Sequence, residues 1–143
     1  MNFKFATVAA IGLGAIAVSA VCQDARSVWD GVYTSDQAKR GKVSYQGDCM
    51  SCHGDDLAGS EAGPPLAGSD FMSTWGGRTV ANLFDRIHAT MPADNPGKLS
   101  NEVDADILAF ILASNKFPAG SMELPPQSAA LQQIHLDAEN PKK

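Results

Sequence analysis

With 143 residues, 44% of them apolar and 19% charged, the chain is sized for one small globular domain with a modest core. A formal charge of -5 leaves no basic excess to hold a phosphate backbone, which argues against nucleic-acid binding, and three cysteines are too few for a disulfide-built scaffold. Thirteen glycines and eight prolines make it loop-rich without marking it as low-complexity.

The chain opens with Asn2 and Lys4, then runs uncharged through residues 5–18. That is signal-peptide anatomy, and about 14 apolar residues fall short of the roughly 20 that a membrane-spanning helix needs. Residues 1–22 are therefore read as a signal peptide, cut after Ala20 or after Cys22, and the mature protein as periplasmic with no stable membrane span. Cys22 invites a lipid anchor, but Val21 before it is bulkier than lipoprotein processing accepts. Gly12, Gly14 and Ala17 imitate a dinucleotide-binding loop; with no strand and helix units behind them, the match is read as coincidence among small residues.

Residues 23–33 form an N-terminal arm, in which Trp29 and Tyr33 are read as packing over the core. A first helix is predicted from Thr34, which with Gln37 fits a capping box, and it places Ala38, Gly41, Tyr45, Cys49 and Cys52 on one stripe. A second begins near Thr79 and presents Val80, Leu83, Phe84 and Ile87 before Pro92 stops it. A third follows Ser100, with Glu102 and Asp104 in its first turn, where negative charge suits the helix dipole, and Val103, Ile107, Phe110, Ile111 and Ser114 facing inward. Residues 54–77 and 91–99 read as loops too extensive for a bare three-helix bundle, so something other than protein is expected to organise them. Residues 118–143 read as an extension packed on the body, with Pro125 and Pro126 ahead of a short helix and a frayed end.

The chemistry is concentrated in Cys49-Met50-Ser51-Cys52-His53. Cys-X-X-Cys-His in an exported chain is the attachment signature for c-type haem: two thiols one turn apart can add to two vinyl groups, and the adjacent imidazole can reach the iron. A redox dithiol would sit at the start of a helix after a strand, and a zinc site would want further ligands than the isolated His88 and His135.

With this motif the chain resembles the class I c-type cytochromes, from about Thr34 to Asn115, within a cytochrome c domain drawn at residues 34–117. The resemblance implies an all-α fold of three main helices and loops wrapped around one haem c, attached through Cys49 and Cys52, with His53 as one axial ligand. Gly63-Pro64-Pro65-Leu66-Ala67-Gly68 matches a family segment whose proline carbonyl accepts a hydrogen bond from the ligand imidazole. That role falls to Pro64, with Leu66 beside the cofactor. Met91, 38 residues after His53, resembles the family's methionine ligand, and together they would make a six-coordinate iron with a raised potential. His88 is the rival sixth ligand, and Met72 is read as pocket packing. Trp75 and Arg78 stand where related cytochromes place donors to a haem propionate. Gly41 and Tyr45 match the family's glycine and aromatic pair, which cross the last helix near Ile107, Phe110 and Ile111.

An iron with both axial positions filled by protein has no place for substrate, so the expected role is electron carrier and not enzyme. The arm around Trp29 and Tyr33 and the segment after Phe117 resemble periplasmic cytochromes that accompany quinoprotein dehydrogenases. A dehydrogenase is thus the expected donor, and an oxidase or another cytochrome the acceptor. Loss of Lys4 with the leader makes the mature chain more acidic still, so a strongly acidic partner is not expected. The alternative is an open-site haem protein for ligand sensing or peroxidase chemistry, which requires Met91 to be off the iron.

Overall fold

Thr34 and Ser100 start the two longest helices in the same way, each accepting a hydrogen bond from the backbone N–H three residues on. Helix α1 spans Ser35–Asp48 and α5 spans Asn101–Ser114; between them lie α2 (Met50–His53), α3 (Gly68–Trp75) and α4 (Val80–Thr90). After them come α6 (Ser128–Leu131) and β2 (Ile134–His135), which pairs in parallel with β1 (Arg26–Ser27), a two-residue strand ahead of α1. The computed structural model describes residues 25–143. The expected signal peptide, the Cys22 anchor and the Gly12 to Ala17 look-alike lie outside the described residues. No helix among them is long and apolar enough to cross a membrane.

The fold is all-α apart from this small clasp. Helix α5 lies against both α1 and α4, which is why its burial exceeds the single expected stripe. Ala105, Leu108, Ala109 and Leu112 are buried together with Ile107 and Ile111, while Val103, Phe110 and Ser114 are only half-buried. The α1–α5 crossing is made possible by Gly41, where a Cβ would stand 1.7 Å from the carbonyl oxygen of Asp106. Tyr45, one turn on, is buried and packs its ring 5.1 Å from that of Phe110.

Three expectations are corrected. The expected capping box is half present: Thr34 accepts from Gln37 N–H, but the Gln37 side chain is buried and exchanges two hydrogen bonds with the backbone of Leu124, at 3.0 and 2.8 Å. The second half of the 54–77 loop is helical, as α3. Its pattern is weak in sequence because its eight residues bury only Phe71 and glycines stand at both ends. Finally, α1 does not carry both cysteines on one continuous stripe. The backbone leaves the helix at Cys49 (φ -127°, ψ -33°) and re-enters it for the single turn of α2.

The tail closes the structure, with Leu124, Leu131, Ile134 and Leu136 buried. Leu136 exchanges backbone hydrogen bonds with Gly77 and Arg78, so the tail backs the turn between α3 and α4. The arm meets the body through Trp29, whose Nε1–H donates to Asp137 O at 2.9 Å and whose ring meets Phe117 edge-on at 5.0 Å. Tyr33 donates its hydroxyl proton to Phe117 O at 2.6 Å.

Candidate haem site

The turn of α2 brings Cys49, Cys52 and His53 together by backbone geometry, because Cys49 O accepts from the N–H groups of both Cys52 (3.2 Å) and His53 (3.0 Å). Both thiols are free and half-buried. Burial, with the negative charges of Asp48 and Asp104 behind it, pushes the Cys49 thiol up to about 11. A neutral thiol suits a group awaiting a thioether bond and opposes the thiolate that a dithiol oxidoreductase needs. The described residues hold no group of three or more His, Cys, Asp or Glu placed to share a metal ion.

His53 is buried, and its Nδ1 lies 2.8 Å from the carbonyl oxygen of Pro64. A carbonyl can only accept, so Nδ1 carries the proton and Nε2 keeps its lone pair for an iron. Gly63 permits this approach: a Cβ there would come within 3.0 Å of the imidazole Nδ1 and of Cys52 O. The segment is tied down on both sides. Tyr45 donates its hydroxyl proton to Gly54 O (2.6 Å), Ser60 Oγ donates to Cys52 O (2.6 Å), and Gly59 N–H donates to His53 O (2.9 Å). Asn115, just after α5, donates from Nδ2 to Leu66 O (2.9 Å) and accepts from Gly68 N–H (3.0 Å), which fixes Leu66 and the start of α3.

Met91 ends α4, with its N–H on Ile87 O at 2.9 Å and the buried Pro92 behind it. Its side chain is half-buried against the core, as are those of Leu66, Met72, Trp75 and Leu99. Met50 is exposed. The donor set is thus two free thiols, an imidazole with its proton placed on the far nitrogen, a half-buried thioether and several half-covered apolar side chains. That set fits a haem. Trp75 is half-buried, and Arg78 is exposed with its guanidinium carbon 5.8 Å from the Trp75 ring and its Nε donating to Thr74 O at 3.0 Å.

Asp104 stands in the first turn of α5 as expected, but it is fully buried there, and its Oδ2 lies 2.8 Å from Nδ1 of the half-exposed His88. The His88 ring stacks on Phe84 at 6.2 Å. Sequence reading missed the anchoring hydroxyls of Tyr45 and Ser60, the amide of Asn115 and this pair, since each joins elements whose relative placement no spacing reveals.

The family profile for cytochrome c oxidase, cbb3-type, subunit III matches residues 36–111, a stretch that contains both thiols, His53, Pro64 and Met91. No curated protein matches the chain significantly. Among solved structures, the chain is similar to one in the sulfane dehydrogenase SoxCD from Paracoccus pantotrophus, with 25% identity and a TM-score of 0.58. The similarity covers 89% of this chain and 68% of the other, so it reaches beyond the stretch the profile matches.

Proposed function

Since the chain belongs to the cytochrome c oxidase, cbb3-type, subunit III family, we propose that it is an exported, periplasmic one-electron carrier whose haem c is bonded through Cys49 and Cys52 and ligated by His53 and Met91. When bound, haem c supplies an iron that gains and loses one electron. The observation that carries the reading is the bond from His53 Nδ1–H to Pro64 O. It presents Nε2 in a fixed direction and makes the ring a better electron donor.

The other residues follow from what each side chain can do. Cys49 and Cys52 hold the cofactor covalently, so it cannot dissociate between donor and acceptor. The Met91 thioether favours the reduced metal and raises the potential. Leu66 and Trp75 keep water from the pocket, and Arg78 with the Trp75 indole offers donors to a propionate. With His53 and Met91 both holding the iron, the chain would transfer electrons across its surface without binding substrate. Electrons arrive from a periplasmic dehydrogenase, a quinoprotein or one of the kind the SoxCD likeness suggests, and leave to an oxidase or another cytochrome.

The test is the visible spectrum of the matured protein, oxidised and then reduced. A sulfur-to-iron charge-transfer band in the oxidised form, lost in Met91→Ala, together with indifference of the reduced form to carbon monoxide, is the expected result. Haem without that band, or rapid carbon monoxide binding, would replace the carrier with an open-site sensor or peroxidase.

A further inference from the structure

Asp104 is fully buried, yet its carboxylate makes a single hydrogen bond. Oδ2 lies 2.8 Å from His88 Nδ1, and Oδ1 has no partner among the described residues. A buried carboxylate with one bare oxygen is costly unless a cation faces it or a proton sits on it. Both remedies lead to the same place, because a proton shared between Asp104 and His88 neutralises the carboxylate whichever atom carries it.

The other charged groups around the pair are already spoken for. At the end of α1, Asp48 is 2.7 Å from Lys98, and Arg40 holds Asp106 and Glu123. Asp85 and Arg86 on α4 and Glu102 on α5 are exposed to solvent. Cys49 also faces the pair, but its sulfur is spent once it is a thioether. Burial raises the affinity of Asp104 for a proton, and His88 lowers it.

The pair also touches the elements that carry the haem. Asp104 lies close enough to Cys49 for its charge to hold the thiol proton more firmly, and His88 sits on α4, whose end is Met91. The His88 side chain is 44% exposed, so the proton has a direct route to water. Charge arriving at the haem is therefore felt by a proton site that is dry on one side and wet on the other.

We propose that His88 and Asp104 form a redox-linked proton site, taking one proton from solvent when the haem held by Cys49 and Cys52 is reduced and returning it on oxidation. The inference rests on the haem reading above. The balance is simple: one electron comes from the donor protein and one proton from solvent hydronium, whose O–H bond breaks as an N–H bond forms on the imidazole; oxidation reverses both. The carrier then moves an electron and a proton together.

The experiment is a midpoint-potential titration of the holoprotein from about pH 5 to about pH 9, with the sulfur-to-iron band monitored throughout. The potential is expected to fall as pH rises. For one proton per electron the limit is a tenfold change in the reduction equilibrium per pH unit, about 59 mV. By reciprocity, the pair is expected to take up its proton more readily in the reduced protein than in the oxidised one, which NMR of the holoprotein in the two redox states checks. Asp104→Asn removes the charge and is expected to flatten the profile. His88→Gln removes the imidazole that takes the proton and is expected to flatten the profile as well, and it serves if the first variant does not fold. A flat wild-type profile, or a slope that survives in the folded variants, overturns the proposal. Absence of covalent haem or of the sulfur band in the wild type overturns the ligation reading instead, and is seen before any titration begins.

Discussion

Gly41 and Gly47 lie on the same helix and are expected to answer the same substitution with opposite signs. At Gly41 an added Cβ meets the Asp106 carbonyl at 1.7 Å, backbone against backbone, whereas at Gly47 it meets nothing within 4 Å. Gly41→Ala is predicted to cost about 1–3 kcal/mol, the usual range for overpacking, and Gly47→Ala to add about 0.5–1 kcal/mol by removing backbone freedom from a helix. Thermal unfolding of the two holoproteins decides both. At Gly63 the added carbon would press on the His53 ring, so Gly63→Ala is expected to shift the reduction potential and leave the haem attached. An unchanged potential would mean that the imidazole is not held by this contact. The attachment motif was legible as a local pattern with a fixed spacing, and the Pro64 contact and the Gly41 crossing through the family resemblance that the motif brought with it. The contacts of Asn115 and Asp104 were not, because α5 finds Leu66 and His88 only after the chain has folded back.

The elements that position the site are joined by a few buried polar contacts, and the Gln37 bridge from α1 to the tail is the one most exposed to test. Its two bonds satisfy both the N–H and the carbonyl of buried Leu124. Gln37→Leu would strand both groups and is predicted to cost about 2–5 kcal/mol. In native-state exchange the Leu124 amide should lose protection ahead of the α1–α5 amides; equal loss would show that the tail and the helices open as one unit. Helices α1, α4 and α5 were readable from their caps and apolar spacing. The short α3 was not, because one buried phenylalanine between glycines gives no period to read. The shared burial of α5 escaped for another reason: a helix covered on two sides has an apolar pattern all round, and only its neighbours show which sides they are.

For the molecule as a whole, the phenols set the response to alkali. Burial pushes Tyr45 up to about 12 and also raises Tyr33. Raised groups contribute stability in full below their unfolded value near 10 and lose it as pH climbs through the folded value. Urea midpoints of the holoprotein should therefore fall from about pH 10 upward. Tyr45→Phe should soften that fall while lowering the neutral-pH stability by about 1 kcal/mol through the lost bond to Gly54. A fall that begins well below pH 10 would assign the effect to other groups. In acid, Asp30 and Asp36 are held low first by their lysine partners. Their contribution is present above the ordinary carboxylate value and lost as pH falls through the lowered one; Asp36 is exposed, Asp30 is half-buried and their lysine partners face solvent, so this limb should be shallow.

Pairing of β1 with β2, the bond from Arg26 N–H to Gln133 O and the ion pair of Lys142 with Asp30 bring the two ends of the described chain side by side. In outline the described stretch is almost a ring. Anything attached at either end, a surface tether, a label or a second protein, leaves from the same pole, and tension applied there is taken up first by a two-residue ladder, at a distance in sequence from the helices that carry Cys49 and Met91.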